Sequence, residues 1–372
     1  MNNPRKPIDR FHAIIPAGGV GSRLWPLSRA SAPKFLHDLT GSGQTLLQDT
    51  WDRITPITTE ARTMIVTGLA HEEAVKAQLP KLSVANLVIE DSPKDSTAAI
   101  ALAAAILARR EPDVIIGSFA ADHVIQDSAA FQAAVAEGTE IAATDRIVVI
   151  GIQPTEASVG FGYIKTGDAL KVPGASTALK VDKFVEKPKL DRAKKYVESG
   201  KYLWNAGMFI APAALLLRQL AKSEPELHAG ILELAAAWDT DQRAVTIKKV
   251  WPTLKKVAID YSIAEPAAEA GLVAVVPGKF SWHDVGDFAA IAELQSQGRK
   301  NNLAVLGSAR VLSDSSSGIL VSDTKRMIAV IGLEDVIIVD TPDALLVTNK
   351  ENAQKVKALV DSLKATGHDE IL

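Results

Sequence analysis

Short apolar runs alternate along the chain with longer stretches in which apolar residues return every three or four positions. His12–Pro16, Thr63–Thr67, Leu87–Ile89, Val114–Ser118 and Ile147–Ile150 are brief and β-rich, which predicts strands. Leu46–Ile54, Glu72–Leu79, Ala98–Arg109 and Ala129–Ala142 lie between them and predict helices. This strand-helix rhythm implies an α/β fold built on a parallel, doubly wound sheet. Ligands in such sheets sit beyond the carboxyl ends of the strands, where the glycine-rich loop after Pro16, the Lys94 segment and Asp122 all fall.

From about Val159 the rhythm loosens into strands, turns and helices, read as a second half of the same domain. After Gln297 short apolar runs are separated by Gly, Ser and Asp: Ala309–Leu312, Ile319–Ser322, Met327–Ile331, Val336–Asp340 and Ala344–Thr348. A final helix is predicted over Glu351–Leu363, with Ala353, Val356, Val360 and Leu363 at helical spacing. The expected division is residues 1–297 as the large domain and 298–372 as a small β-rich domain with a capping helix. No tight repeat period is visible in that tail.

Composition narrows the class. The 372 residues are 47% hydrophobic and 23% charged, enough for one large core with an appended domain. A formal net charge of -3 gives no sign of a nucleic-acid or membrane surface over the whole molecule. The absence of cysteine rules out disulfides and cysteine-bound metals, and is compatible with a reducing compartment. The polar start MNNPRKPIDR lacks the apolar core of a signal peptide, and no apolar run reaches about 18 residues, so the cytoplasm is the expected location.

The chemistry concentrates in Ala17–Lys34, AGGVGSRLWPLSRASAPK, which contains no acidic side chain. Ala17, Gly18, Gly19, Gly21 and Ser22 form a turn whose backbone can approach an anion, and Arg23, Arg29 and Lys34 add fixed positive charge. A nucleotide phosphate is the expected guest. The loop fits neither familiar glycine motif: Leu24 stands where a dinucleotide fingerprint needs glycine, and a Walker-type Gly-Lys-Ser/Thr is missing.

The run G-G-x-G-x-R-L-x-P-L-S-x-x-x-x-P-K resembles the signature of the sugar-nucleotide pyrophosphorylases, and its LWPLSR variant resembles the mannose-1-phosphate guanylyltransferase branch. Further segments follow in family order: Glu90–Ala99, FAADHVI around Asp122, GFGYI at 160–164, FVEKP at 184–188, WNAGMF at 204–209, WHDVGD at 282–287, and IGLEDVIIVDTPDALLV in the tail. The resemblance implies a Rossmann-like doubly wound mixed sheet carrying nucleotidyltransferase chemistry, with a β-helix-like C-terminal domain that serves dimerisation, hence a homodimer. The expected form is a short one, without the isomerase domain that relatives often add.

The implied reaction is attack by the phosphate oxygen of mannose 1-phosphate on the α-phosphorus of GTP, giving GDP-mannose and pyrophosphate. Two anions must be neutralised and aligned, and Arg23 and Lys34 are the expected catalytic cations. Arg29 fits phosphate binding or a structural salt bridge. The resemblance places a divalent ion on Asp122 and Asp284; magnesium suits two carboxylates completed by phosphate oxygens. His123 and His283 are neighbours of that pair. Gly162, Tyr163, Glu186, Lys187 and Asn205 match positions that hold the hexose phosphate, and Glu90, Lys94, Asp95 and Ser96 lie where the resemblance puts base and ribose. Asp91, and Lys94–Thr97 in place of R-N-T-A, depart from many relatives. A pyrophosphorylase for another sugar or base, or a non-catalytic nucleotide-sugar-sensing homologue, remains as an alternative.

Overall fold

A computed structural model describes residues 8–296 and 302–372. The domain boundary expected at 297/298 lies outside the described residues.

Among the described residues, eleven strands belong to the large domain. They are β1 (Phe11–Ala17), β2 (Thr63–Gly68), β3 (Leu87–Glu90), β4 (Ile115–Ser118), β5 (His123–Ile125), β6 (Ile147–Ile152), β7 (Tyr163–Ala169), β8 (Leu179–Val185), β9 (Tyr202–Pro212), β10 (Val273–Pro277) and β11 (Trp282–Asp284). Nine of them form one sheet in the order β3-β2-β1-β4-β9-β6-β10-β8-β7. The β3-β2-β1-β4 half is wholly parallel, as the βαβ rhythm requires. β9 then enters antiparallel between β4 and β6, which makes the sheet mixed. Separately, β5 and β11 pair antiparallel, with Asp284 opposite His123.

The helices are α1 (Leu46–Ile54), α2 (Glu72–Gln78), α3 (Asp95–Arg110), α4 (Ser128–Ala142), α5 (Leu190–Ser199), α6 (Ala213–Ser223), α7 (Pro225–Ala237), α8 (Arg243–Val250), α9 (Glu265–Glu269), α10 (Phe288–Ser296) and α11 (Val356–Ala365). α3 is buried on every side from Thr97 to Leu107, so alanine and leucine run around it without a polar stripe. It packs with α6 and α7 against one face of the sheet, while α1 and α4 cover the other. Thr45 opens α1 with a reciprocal cap to Gln48, which fixes the exit from the glycine-rich loop region.

The C-terminal strands are β12 (Leu303–Gly307), β13 (Arg310–Asp314), β14 (Gly318–Ser322), β15 (Met327–Ile331), β16 (Val336–Asp340) and β17 (Leu345–Asn349). β12-β14-β16 stack in parallel with β17 closing antiparallel, and β13-β15 form a second parallel pair. This is the stacking of a β-helix. Successive rungs differ in length, since Leu303 pairs with Gly318 and Gly318 with Val336, and an uneven rung leaves no fixed period in the sequence. The expected final helix begins as a 3-10 turn over Lys350–Lys355 and becomes α-helical only at Val356.

Leu306, Ile319, Val321, Ile337, Val339 and Val356 of this domain share one buried cluster with Leu24, Trp25, Leu39, Val285 and Phe288. The small domain is therefore seated directly against the glycine-rich loop and the segment that follows Asp284.

Candidate active site

β1 ends at Ala17, and the chain turns through exposed Gly18 and Gly19 into a single 3-10 turn, Ser22–Leu24. Gly21 has φ 72, and a Cβ there would come within 3.0 Å of the Lys34 Cβ, so the loop rests on the lysine stem and tolerates no side chain at that point. Arg23 is exposed, with one guanidinium nitrogen 3.4 Å from Gln354 Oε1. A Cβ on Gly286 would lie 3.3 Å from the same guanidinium, which places Arg23 beside the Asp284 segment.

Lys34 is where distant parts of the chain meet. Its Nζ lies 2.7 Å from Asp122 Oδ2 and 3.3 Å from Asp284 Oδ1, and it donates to the Val285 carbonyl at 3.2 Å. Burial alone would lower the affinity of Lys34 for its proton, but the two carboxylates outweigh it and hold the ammonium well above its ordinary pKa. Burial likewise opposes ionisation of Asp122, yet Lys34 prevails, helped by His123, and the carboxyl is held below the usual range. Arg53 secures this side from behind: its buried guanidinium donates to the carbonyls of His123 at 3.2 Å and Ile125 at 3.4 Å. Burial pushes Arg53 down to about 10.

His123 is buried with its ring edge-on to Trp282, 5.3 Å between centroids, and burial lowers its pKa. His283 meets Ser281 Oγ at 3.2 Å. Among the described residues no group of three or more His, Cys, Asp or Glu gathers to hold a metal. Asp122 and Asp284 do converge on one point, a donor set of hard oxygens that fits a cation completing its shell from phosphates and water.

A second cluster lies at the far end of β9. Gly162, Glu186 and Asn205 face each other closely: a Cβ on Gly162 would meet Glu186 Oε2 at 2.5 Å and Asn205 Cβ at 3.3 Å. Lys187 pairs with Glu186 Oε1 at 3.0 Å and adopts φ 42, a left-handed conformation that costs a residue with a Cβ about 1 kcal/mol or more. Asn205 gives Nδ2 to Asp260 Oδ1 at 2.9 Å and accepts from the Gly207 amide at 3.2 Å. Asp260 opens a π-helical turn, Asp260–Ala264, just before α9. Burial, reinforced by Glu186, pushes its carboxyl up to about 7.

Toward α3, Glu90 is buried at the end of β3, and its Oε1 has no hydrogen-bond partner among the described residues. Burial, with Asp95 adding repulsion, pushes it up to about 7. Asp95 stands at φ 69 at the start of α3 and accepts from the Ser96 amide at 2.8 Å.

Three expected site residues are engaged elsewhere. Tyr163 is fully buried and donates its hydroxyl to the Ser158 carbonyl at 2.9 Å, because strand alternation sends its side chain to the face opposite Gly162. Lys94 donates to the carbonyls of Pro252 and Leu254, both at 2.9 Å, and so staples α3 to the loop beyond α8. Ser96 Oγ accepts from the Ile259 amide at 2.9 Å. Of the two uses open to Arg29, the structural one is present: it donates to Pro26 O at 2.6 Å, to Ile371 O, and to Asp343 Oδ1 at 2.8 Å. Sequence reasoning missed Asp260 and Arg53. Asp260 carries a signal only in hindsight, an acid set in an apolar stretch, and Arg53 reads as an ordinary helix cation.

Comparison with known proteins gives a consistent result. The nucleotidyl transferase family matches residues 12–301, and a MannoseP isomerase/GMP-like beta-helix domain matches residues 309–363. The chain is 36% identical over 363 residues to the xanthan biosynthesis protein XanB of Xanthomonas campestris pv. campestris, covering 96% of this chain and 74% of that protein. It is 32% identical over 366 residues to a mannose-1-phosphate guanylyltransferase of Escherichia coli, covering 97% and 75%. A solved structure from Thermus thermophilus, described as a mannose-1-phosphate geranyltransferase, superposes with TM-score 0.84 at 29% identity, covering 95% of this chain and 99% of that one.

Proposed function

The chain belongs to the nucleotidyl transferase family, and from that premise we propose that it joins GTP and mannose 1-phosphate into GDP-mannose with release of pyrophosphate. Relatives named mannose-1-phosphate guanylyltransferase match it over nearly its whole length, and it spans about three quarters of theirs. The observation that carries the reading is the meeting of Lys34, Asp122 and Asp284 beside the glycine-rich loop.

In this reading the loop amides and Arg23 receive the triphosphate, and Lys34 neutralises charge that grows on the phosphate oxygens during in-line displacement. Asp122 and Asp284 would hold magnesium, whose contribution is to draw charge from the phosphate oxygens. Glu186 and Lys187 receive the hexose phosphate, the lysine on phosphate and the carboxylate on hydroxyls. Glu90 supplies the acceptor that guanine N1–H and its 2-amino group require.

A homodimer through the C-terminal domain belongs to the same proposal. Leu312, Met327 and Ile331 are exposed on the outer face of β13 and β15, an apolar surface that a second copy would cover. No helix among the described residues is long and apolar enough to cross a membrane. The cytoplasm, where GTP is made, is the proposed location.

The test is pyrophosphate release by the purified protein across a matrix of nucleoside triphosphates and sugar 1-phosphates. GTP with mannose 1-phosphate should give the highest kcat/KM; preference for another pair, or no turnover with any, overturns the proposal.

A further inference from the structure

Beside the proposed hexose site stands an acid, Asp260, that none of the short motifs read from the sequence contains. It comes from the π-helical turn before α9, and Asn205 Nδ2 holds its Oδ1 at 2.9 Å. Both ends of the Asn205 amide are thereby engaged, since its Oδ1 accepts from the Gly207 amide. An amide fixed in this way orients its partner, with one N–H and one oxygen lone pair still open. The second oxygen of Asp260 accepts from no other residue among those described, and the residue as a whole is only partly covered.

The charges around it fit a polyol. Glu186 faces Asp260 from the loop after β8, with Lys187 beside it, Asp95 comes from the start of α3, and Tyr261 and Glu265 stand on the adjoining helical turns. Glu265 Oε1 accepts from the Glu186 amide at 3.1 Å, tying the two segments together. Lys187 pairs with Glu186 at 3.0 Å, while Asp260 has no ion-pair partner among the described residues, and hydroxyl donors would relieve the cost of holding the two carboxylates close. Gly162 packs directly against the pair, since a Cβ there would meet Glu186 Oε2 at 2.5 Å and Asn205 Cβ at 3.3 Å.

We propose that Asp260, oriented by Asn205, reads the ring hydroxyls of the hexose and helps select which sugar 1-phosphate is used. The inference rests on the proposed transfer to mannose 1-phosphate. A site built to bond a hydroxyl rejects a sugar that presents it differently, because the acid is then left buried without its donor.

The experiment compares the full chain with its Asp260→Asn and Asp260→Ser variants, measuring KM and kcat separately for mannose 1-phosphate and GTP, and kcat/KM for glucose 1-phosphate. GTP binding by equilibrium dialysis reports whether each variant is folded. The expected result is a KM for mannose 1-phosphate raised about tenfold or more, with KM for GTP within about twofold. The preference for mannose 1-phosphate over glucose 1-phosphate should fall by a similar factor. A folded variant with unchanged sugar KM and unchanged preference overturns the inference, and so does an effect confined to GTP. Wild-type protein that ignores mannose 1-phosphate altogether refutes the proposed function instead. If Asn and Ser both prevent folding, Asn205→Ala becomes the arbiter: loss of sugar selectivity supports the inference and its retention overturns it.

Discussion

The Lys34 ammonium sits 2.7 Å from Asp122 and bridges it to Asp284, so one cation holds two carboxylates that come from distant stretches of the chain. Such an arrangement is stable only while the cation is present. Replacing Lys34 with Met leaves the two acids facing one another without a partner. We expect turnover to fall by about 10² or more and stability by about 1 to 3 kcal/mol, read from pyrophosphate release and urea midpoints. Turnover close to wild type in a folded K34M protein would remove Lys34 from the chemistry.

Arg23 lies beside the same site, exposed, with one long hydrogen bond of 3.4 Å to Gln354. Arg23→Ala should lower kcat by about 10² with little change in thermal midpoint, because an exposed side chain carries little of the fold. An equal loss of stability would point to a structural role through Gln354.

Chelation offers a separate test of the carboxylate pair. Stripping divalent ions with EDTA should abolish activity, and added magnesium should restore it. Asp284→Asn should then need a several-fold higher magnesium concentration for half-maximal rate. Undiminished turnover in metal-free buffer would falsify the magnesium proposal.

Glu90 gives a pH signature. Burial raises its carboxyl from an ordinary 4.5 to about 7, so the folded chain binds this proton more tightly than the unfolded one. Its contribution is fully present below about 4.5 and is lost as pH rises through about 7. Glu90→Gln should therefore gain roughly 1 to 3 kcal/mol over wild type at about pH 8 and nothing at about pH 4, while its KM for GTP rises about tenfold. Asp260, raised to about 7 in the same manner, steepens the wild-type slope in that window. Parallel stability curves for the two proteins across that range would rule out the assignment.

The parallel half of the sheet was legible because each of its strands is a short apolar run between helices. The antiparallel entry of β9 between β4 and β6 is not legible, because its direction and neighbours are set by tertiary pairing and leave no mark in its own apolar run. The family resemblance brings Asp122 and Asp284 together, but nothing in the sequence says that Lys34 fills the space between them. Tyr163, expected beside the hexose phosphate, turns its side chain away from Gly162 by strand geometry, and its hydroxyl is bonded to the Ser158 carbonyl. Lys94, expected near base or ribose, gives its ammonium to carbonyls 158 and 160 positions away, contacts that a cation near a helix start does not announce in sequence.

The seat of Trp25 and Arg29 on the Ile371 carbonyl has a consequence for biogenesis. In the order of synthesis the glycine-rich loop precedes the carbonyl that supports it by 346 positions. A nascent chain paused after the nine-stranded sheet would hold its nucleotide loop without that support, and activity should emerge only once translation has delivered the β-helix and the residues that follow α11.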